Sequence, residues 1–112
     1  MNIQIFGTKK CQDTRKAERY FKERKIPYQF IDLTIKGLSK GELSSVQRFI
    51  PLTDLLDKQC KDYQKLNLQY IVHNRESIML EHPSLFKTPI VRNGTLSATL
   101  GYCPDIWKQW QG

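Results

Sequence analysis

The sequence predicts an α/β domain: a mixed four-stranded sheet with flanking helices and an inserted helical segment. Three observations carry this. A short apolar run, Ile3-Gln4-Ile5-Phe6, is followed by a stretch of helical period and then by a second β-like run around Tyr28, Phe30 and Ile31. Asn93-Gly94, set between two apolar runs, is a strong short-range hairpin signal. Between these ends, positions 52–82 read as mostly helical. Parallel strands need a helical crossover and a hairpin gives an antiparallel pair, so the two halves together make a mixed sheet.

Taken in order, strand one ends at Gly7-Thr8. Over 13–24, Ala17, Tyr20 and Phe21 fall at helical spacing with Lys and Arg on the other faces, and Pro27 stops the helix. Strand two ends at Asp32, and Lys36-Gly37-Leu38 reads as a turn. Ser39-Lys-Gly-Glu42 matches the capping box, in which each side chain satisfies the other residue's free backbone N–H. The helix it opens is expected to bury Leu43, Val46 and Phe49 or Ile50 and to stop before Pro51. Leu55, Leu56, Tyr63, Leu66, Ile71, Ile78, Met79 and Leu80 supply the apolar faces of two or three short helices. Ile90-Val91 lead into the hairpin, a short strand covers about 96–100, and 104–110 form a closing helix in which Trp107 and Trp110 pack against the sheet. This order resembles the thioredoxin-like arrangement.

With 112 residues and no repeat, low-complexity tract or linker-like stretch, the chain reads as a single domain over 1–112. Its 39% hydrophobic and 26% charged content is that of a soluble globular protein. No apolar run approaches the ~20 residues that span a bilayer. The start is too short and too polar for a signal peptide, so a cytoplasmic location and no membrane contact are expected. Cys11, Cys60 and Cys103 form no Cys-x-x-Cys, and His73 and His82 stand in no ligand spacing, which argues against a metal site or a disulfide framework. The net charge of +7 is spread along helices, which suits anionic small molecules or an acidic protein surface better than direct nucleic-acid binding.

The chemistry concentrates at Cys11. It lies where strand one gives way to the first helix, facing unpaired backbone N–H groups and the positive end of the helix dipole. Lys9, Lys10 and Arg15 add cationic charge nearby, and Thr14, three residues on, has a hydroxyl placed to donate to the sulfur. Each effect favours the thiolate. The plainer alternative is that Cys11 is a small cap residue and Thr14 an ordinary first-turn side chain. Pro89, at the first position of a strand, is sterically permitted there and completes the candidate set. Cys60 and Cys103 read as structural; Cys103 is the one other thiol with a functional possibility, as a resolving thiol, though the sequence does not bring it within reach of Cys11.

These segments together resemble the ArsC/Spx/YffB family. Gly7-Thr8-Lys9-Lys10-Cys11-Gln12-Asp13-Thr14-Arg15-Lys16-Ala17 is similar to its Cys-x-x-Ser/Thr segment. Leu55-Leu56, Tyr63-Gln-Lys-Leu66, His82-Pro83, Lys87-Thr88-Pro89-Ile90 and Leu100-Gly101-Tyr102 follow in the family's order. The resemblance implies a thioredoxin-like fold, a nucleophilic Cys11 and a cis-proline at Pro89 beside it. It also implies a departure. Asp57, Thr88 and Tyr102 stand where arsenate reductases of the family carry arginines, and Gly7-Thr8 replaces their basic histidine-containing turn. Efficient arsenate reduction is therefore not expected.

The Gly-Thr-Lys-Lys-Cys turn and the Leu-Gly-Tyr ending are more similar to the YffB-like and Spx-like branches. The function expected is a thiol oxidoreductase with no bound cofactor. Glutathione or another small thiol would be co-substrate, and an oxidised small molecule or mixed disulfide the substrate. The alternative is an Spx-like transcription regulator that docks on RNA polymerase without catalysis; Thr14 in place of a second cysteine excludes a local disulfide switch.

Overall fold

In the computed structural model, which describes residues 1–66 and 75–111, strand β1 (Ile3–Gly7) runs parallel to β2 (Tyr28–Asp32) across helix α1 (Gln12–Glu23). On its other side β1 pairs antiparallel with β3 (Ile90–Asn93), which pairs with β4 (Ser97–Leu100), giving the order β2-β1-β3-β4. This is the mixed, thioredoxin-like sheet the residue pattern predicts. Helices α2 (Lys40–Gln47), α3 (Leu52–Leu55), α4 (Lys61–Lys65) and α5 (Arg75–Glu81) and a 3-10 turn (Pro83–Leu85) form the inserted segment, and α6 (Pro104–Gln111) closes the chain. Ile71 and His73 lie outside the described residues. No helix among the described residues is long and apolar enough to cross a membrane.

Strand alternation divides the apolar residues between two faces. Ile3, Ile5 and Val91 point to one face, where Ala17, Tyr20 and Phe21 of α1 and Trp107 of α6 cover them. Phe6, Ile31, Ile90 and Ala98 join a second cluster with Leu43, Val46, Leu55 and Met79 from the inserted segment. Trp107 is fully buried, stacks edge-on to Tyr20 at 5.2 Å and donates from Nε1 to Thr99 Oγ1 at 2.8 Å. Trp110 packs at the margin of the same cluster.

Local chemistry explains the boundaries. The Ser39–Glu42 box is formed in both directions, at 2.8 and 3.1 Å. α1 ends in a left-handed residue, Lys25 at φ 57°, with Ile26 N–H bonded to Phe21 O at 2.9 Å and Lys25 N–H to Lys22 O at 3.1 Å. That is the Schellman pattern, made here without glycine.

Of Phe49 and Ile50, the two candidates at the end of α2, it is Ile50 that is buried, while Phe49 is 40% exposed beneath Arg48. Two local expectations need correction. The turn after β2 sits at Leu33, Thr34 and Ile35, not at 36–38, because the Asp32 carboxylate accepts from both Thr34 N–H and Thr34 Oγ1 and bends the chain earlier. The hairpin loop has three residues, since Asn93 pairs with Ser97. β4 accordingly starts one residue late and leaves Leu96 77% exposed. Gly94, at φ 52°, gives its N–H to Asn2 O, tying the loop to the N-terminus.

Two stability measurements follow, both by chemical denaturation. Trp107→Ala is expected to lose about 3–5 kcal/mol, the cost of emptying a filled aromatic site. Lys25→Gly removes the Cβ penalty of a left-handed residue and is expected to gain up to about 1 kcal/mol.

Candidate active site

Cys11 is the N-cap residue of α1, in extended backbone with φ −76° and ψ 120°. The first turn of α1 lies so close to the end of β1 that a Cβ on Gly7 would collide with the Thr14 side chain, meeting its Cγ2 at 2.6 Å and its Oγ1 closer still. Gly7 therefore lets Thr14 sit fully buried under the sulfur. From the opposite side comes the segment before β3. The Thr88–Pro89 bond is cis, Pro89 is buried, and Cys11 Sγ donates to Thr88 O at 3.6 Å.

The sulfur makes no helix-capping bond, and apart from the sulfur the buried Thr14 Oγ1 has no hydrogen-bond partner. A buried hydroxyl without a partner is costly, which leaves Thr14 to donate to Cys11. Burial pushes the Cys11 thiol up, but hydrogen bonds to the thiolate from the Thr14 and Thr88 side chains, and from the backbone N–H groups of Thr14 and Asp13, outweigh burial and bring it below the ordinary 9.0. The donor set is built for a sulfur anion.

Cys11, Thr14 and Pro89 thus come together as expected. The three cations are placed differently. Lys9 and Lys10 are exposed in the turn before Cys11, and Arg15 is exposed on α1. Hydrogen bonds, not these charges, carry the lowering at Cys11. The charge of Lys9 acts on Asp32, whose carboxylate is held low first by Thr34 and then by Lys9.

Of the residues standing at family arginine positions, Thr88 contacts the sulfur, whereas Asp57 and Tyr102 lie in separate surface features. Asp57 shares a pocket of about 410 Å³ with Lys58 and Lys87. Tyr102 is 44% exposed, stacks edge-on to Trp107 at 5.7 Å and has Lys16 Nζ 5.8 Å from its ring centre. It borders a groove of about 450 Å³ along α1, with Lys16, Arg19 and Arg24. Cys103 donates to Leu100 O at 3.3 Å; burial and the Asp13 carboxylate push its thiol up against a hydrogen bond from Thr99. Cys60 is half-buried at the start of α4, and His82 is half-buried before the 3-10 turn. Among the described residues no group of His, Cys, Asp and Glu is arranged to hold a metal ion.

Sequence reasoning missed Thr88 as a donor and Gly7 as the residue that admits Thr14. The signal for Thr88 was its place before the proline. For Gly7 it was a glycine one step short of a cysteine-bearing turn.

A protein-family model described as the ArsC family matches residues 6–110. The global transcriptional regulator Spx 2 of Oceanobacillus iheyensis is 27% identical over 129 residues, covering 99% of this chain and 94% of that protein. The arsenate reductase of Vibrio cholerae superposes with a TM-score of 0.80 at 23% identity, covering 97% of each chain. A protein named YffB superposes at 0.79 and 23%, covering 96% of this chain and 97% of that one. At these identities the two structures show likeness of fold.

Thr14→Val keeps the side-chain shape and removes the donor. Alkylation rate against pH is expected to place the Cys11 pKa of this variant above that of the wild type. In peptide mapping after limited iodoacetamide treatment at neutral pH, Cys11 is expected to label well ahead of Cys103. Because the native state favours the thiolate, Cys11 adds stability at alkaline pH, above the ordinary thiol value. That contribution is lost as the pH falls through the native pKa. The stability difference between wild type and Cys11→Ala should therefore shift towards the wild type as the pH rises towards the ordinary thiol value of 9.0.

Proposed function

This chain belongs to the ArsC family, and we propose that it acts there as a thiol oxidoreductase with Cys11 as its one nucleophile. The observation that carries the reading is the Thr14 hydroxyl, buried beneath Cys11 Sγ with no other partner, which together with the Thr88 side chain and the first-turn N–H groups holds the Cys11 thiol below its ordinary value. The Cys11 thiolate attacks one sulfur of a disulfide substrate, the S–S bond breaks, and the other half leaves as a thiolate with the electron pair. A second thiolate, from glutathione or another small thiol, then attacks the substrate sulfur of the mixed disulfide and releases Cys11. No bound cofactor takes part. Cys103, with its raised thiol, is a poor candidate for the resolving step, so an external thiol completes the cycle.

Arsenate is a poor fit. A carboxylate at Asp57 and the neutral Thr88 and Tyr102 supply no cation to a dianion, and Lys9, Lys10 and Arg15 are exposed to solvent. A second reading has its own support. The Oceanobacillus relative is named as a transcriptional regulator, and α1 presents a basic groove at Lys16, Arg19 and Arg24 suited to an acidic protein surface. In that reading the chain docks on RNA polymerase and Cys11 is not used for turnover.

A glutathione-coupled assay with 2-hydroxyethyl disulfide tests the first reading. Cys11→Ser is expected to fall to the uncatalysed rate, while Cys60→Ser and Cys103→Ser keep the wild-type rate. Arsenate is expected to give background turnover. A Cys11→Ser protein with unchanged turnover sinks the oxidoreductase reading. Undiminished binding of that variant to purified RNA polymerase, with no thiol transfer by the wild type, would establish the second.

A further inference from the structure

The groove of about 450 Å³ between α1 and the start of α6 contains no residue of the Cys11 site. It is lined by Lys16, Arg19, Tyr20 and Glu23 of α1, by Arg24 at the C-cap of that helix, and by Tyr102 and Pro104. The α1 residues recur at spacings of three and four, so they share one helix face. Among the described residues, no carboxylate is ion-paired with Lys16, Arg19 or Arg24. Glu23, four residues after Arg19, shares the groove without pairing to it. Three cations on one face with no counter-charge bound to them repel one another, and an anion in the groove relieves that repulsion.

Arg24 is the most fixed of the three. Its guanidinium carbon lies 3.8 Å from the centre of the Tyr20 ring, and Nη1 donates to Tyr20 O at 3.4 Å. A guanidinium held this way keeps its remaining N–H groups for a ligand, in the planar fork that suits two oxygens of one phosphate. Lys16 and Arg19 add exposed charge beside it. The opposite wall differs in kind. Tyr102 is 44% exposed, braced edge-on against Trp107 at 5.7 Å, and Pro104 continues its surface. A planar ligand ring finds an aromatic partner there. Glu23 sets one more requirement. A bare polyphosphate meets repulsion from its carboxylate, whereas a sugar hydroxyl donates to it. The volume falls within the range of small-molecule sites.

We propose that this groove binds a nucleotide, with its phosphates on Arg24, Arg19 and Lys16, its sugar hydroxyls at Glu23 and its base on the Tyr102 wall. The concavity favours such a ligand over the acidic protein surface considered above, which meets the outer cations and leaves the cleft itself empty. The site is separate from the thiol exchange and does not depend on it.

Calorimetric titration of the intact chain with ADP, adenosine, pyrophosphate and a glutamate decamer, all at one ionic strength, tests this. ADP is expected to bind about tenfold more tightly than adenosine, because the phosphates meet the cations. It is expected to bind about fivefold more tightly than pyrophosphate, the contribution of a base stacked on an exposed ring. Arg24→Gln is expected to weaken ADP about fivefold, with little recovered by Arg24→Lys, since an ammonium has no fork. Tyr102→Leu is expected to bring ADP down to the affinity of pyrophosphate, and Lys58→Gln, outside the groove, to change nothing. ADP that does not bind, that binds no better than pyrophosphate, or whose affinity Arg24→Gln and Tyr102→Leu leave unchanged overturns the proposal. A glutamate decamer that binds through Arg24 where ADP does not also overturns it, and assigns the groove to an acidic protein surface.

Discussion

The candidate site around Cys11 depends on one steric constraint, the contact between Gly7 at the end of β1 and Thr14 in the first turn of α1. Without a side chain at position 7, the helix settles on the strand closely enough to bury Thr14 completely. That depth puts Cys11 at the helix N-cap, within reach of the segment before β3. β1 is hydrogen-bonded on both sides, so the strand end that sets this distance has little freedom to shift. The thiol environment follows from backbone packing more than from the charges that happen to flank the cysteine in sequence.

Much of the fold was legible because its signals are local. Ser39 and Glu42 lie three residues apart and act on each other directly, and Asn93-Gly94 marks a reversal whatever surrounds it. What stayed hidden depended on choices between near-equal local options. Nothing in the sequence reports that the Asp32 side chain would claim both Thr34 donors, or that Lys25 would take a left-handed conformation that usually falls to glycine. The site divides the same way. Cys11 and Thr14 share one helical turn and could be read together. Thr88 lies 77 residues from Cys11, and its role depends on a strand pairing that no short window contains. Lys9, Lys10 and Arg15 flank the cysteine in sequence and are exposed, and the lowering at Cys11 comes from hydrogen bonds.

The sheet separates two kinds of work. On one face, α1 and α6 pack an aromatic cluster in which Tyr20, Phe21 and Trp107 hold one another edge-on or tilted. This seats α1, whose N-cap is Cys11, on a buried aromatic layer. On the other face, the inserted segment consists of short helices joined by turns, which pack on the sheet through Leu43, Val46, Leu55 and Met79. One wall of the Asp57 pocket comes from this second layer.

A clamp forms between Leu55, Leu56 and Asp57 on one side and Leu85, Phe86 and Lys87 on the other. It joins the two segments through main-chain hydrogen bonds, which any residue but proline at position 57 can keep. A substitution at position 57 that keeps the backbone N–H therefore leaves these main-chain bonds in place.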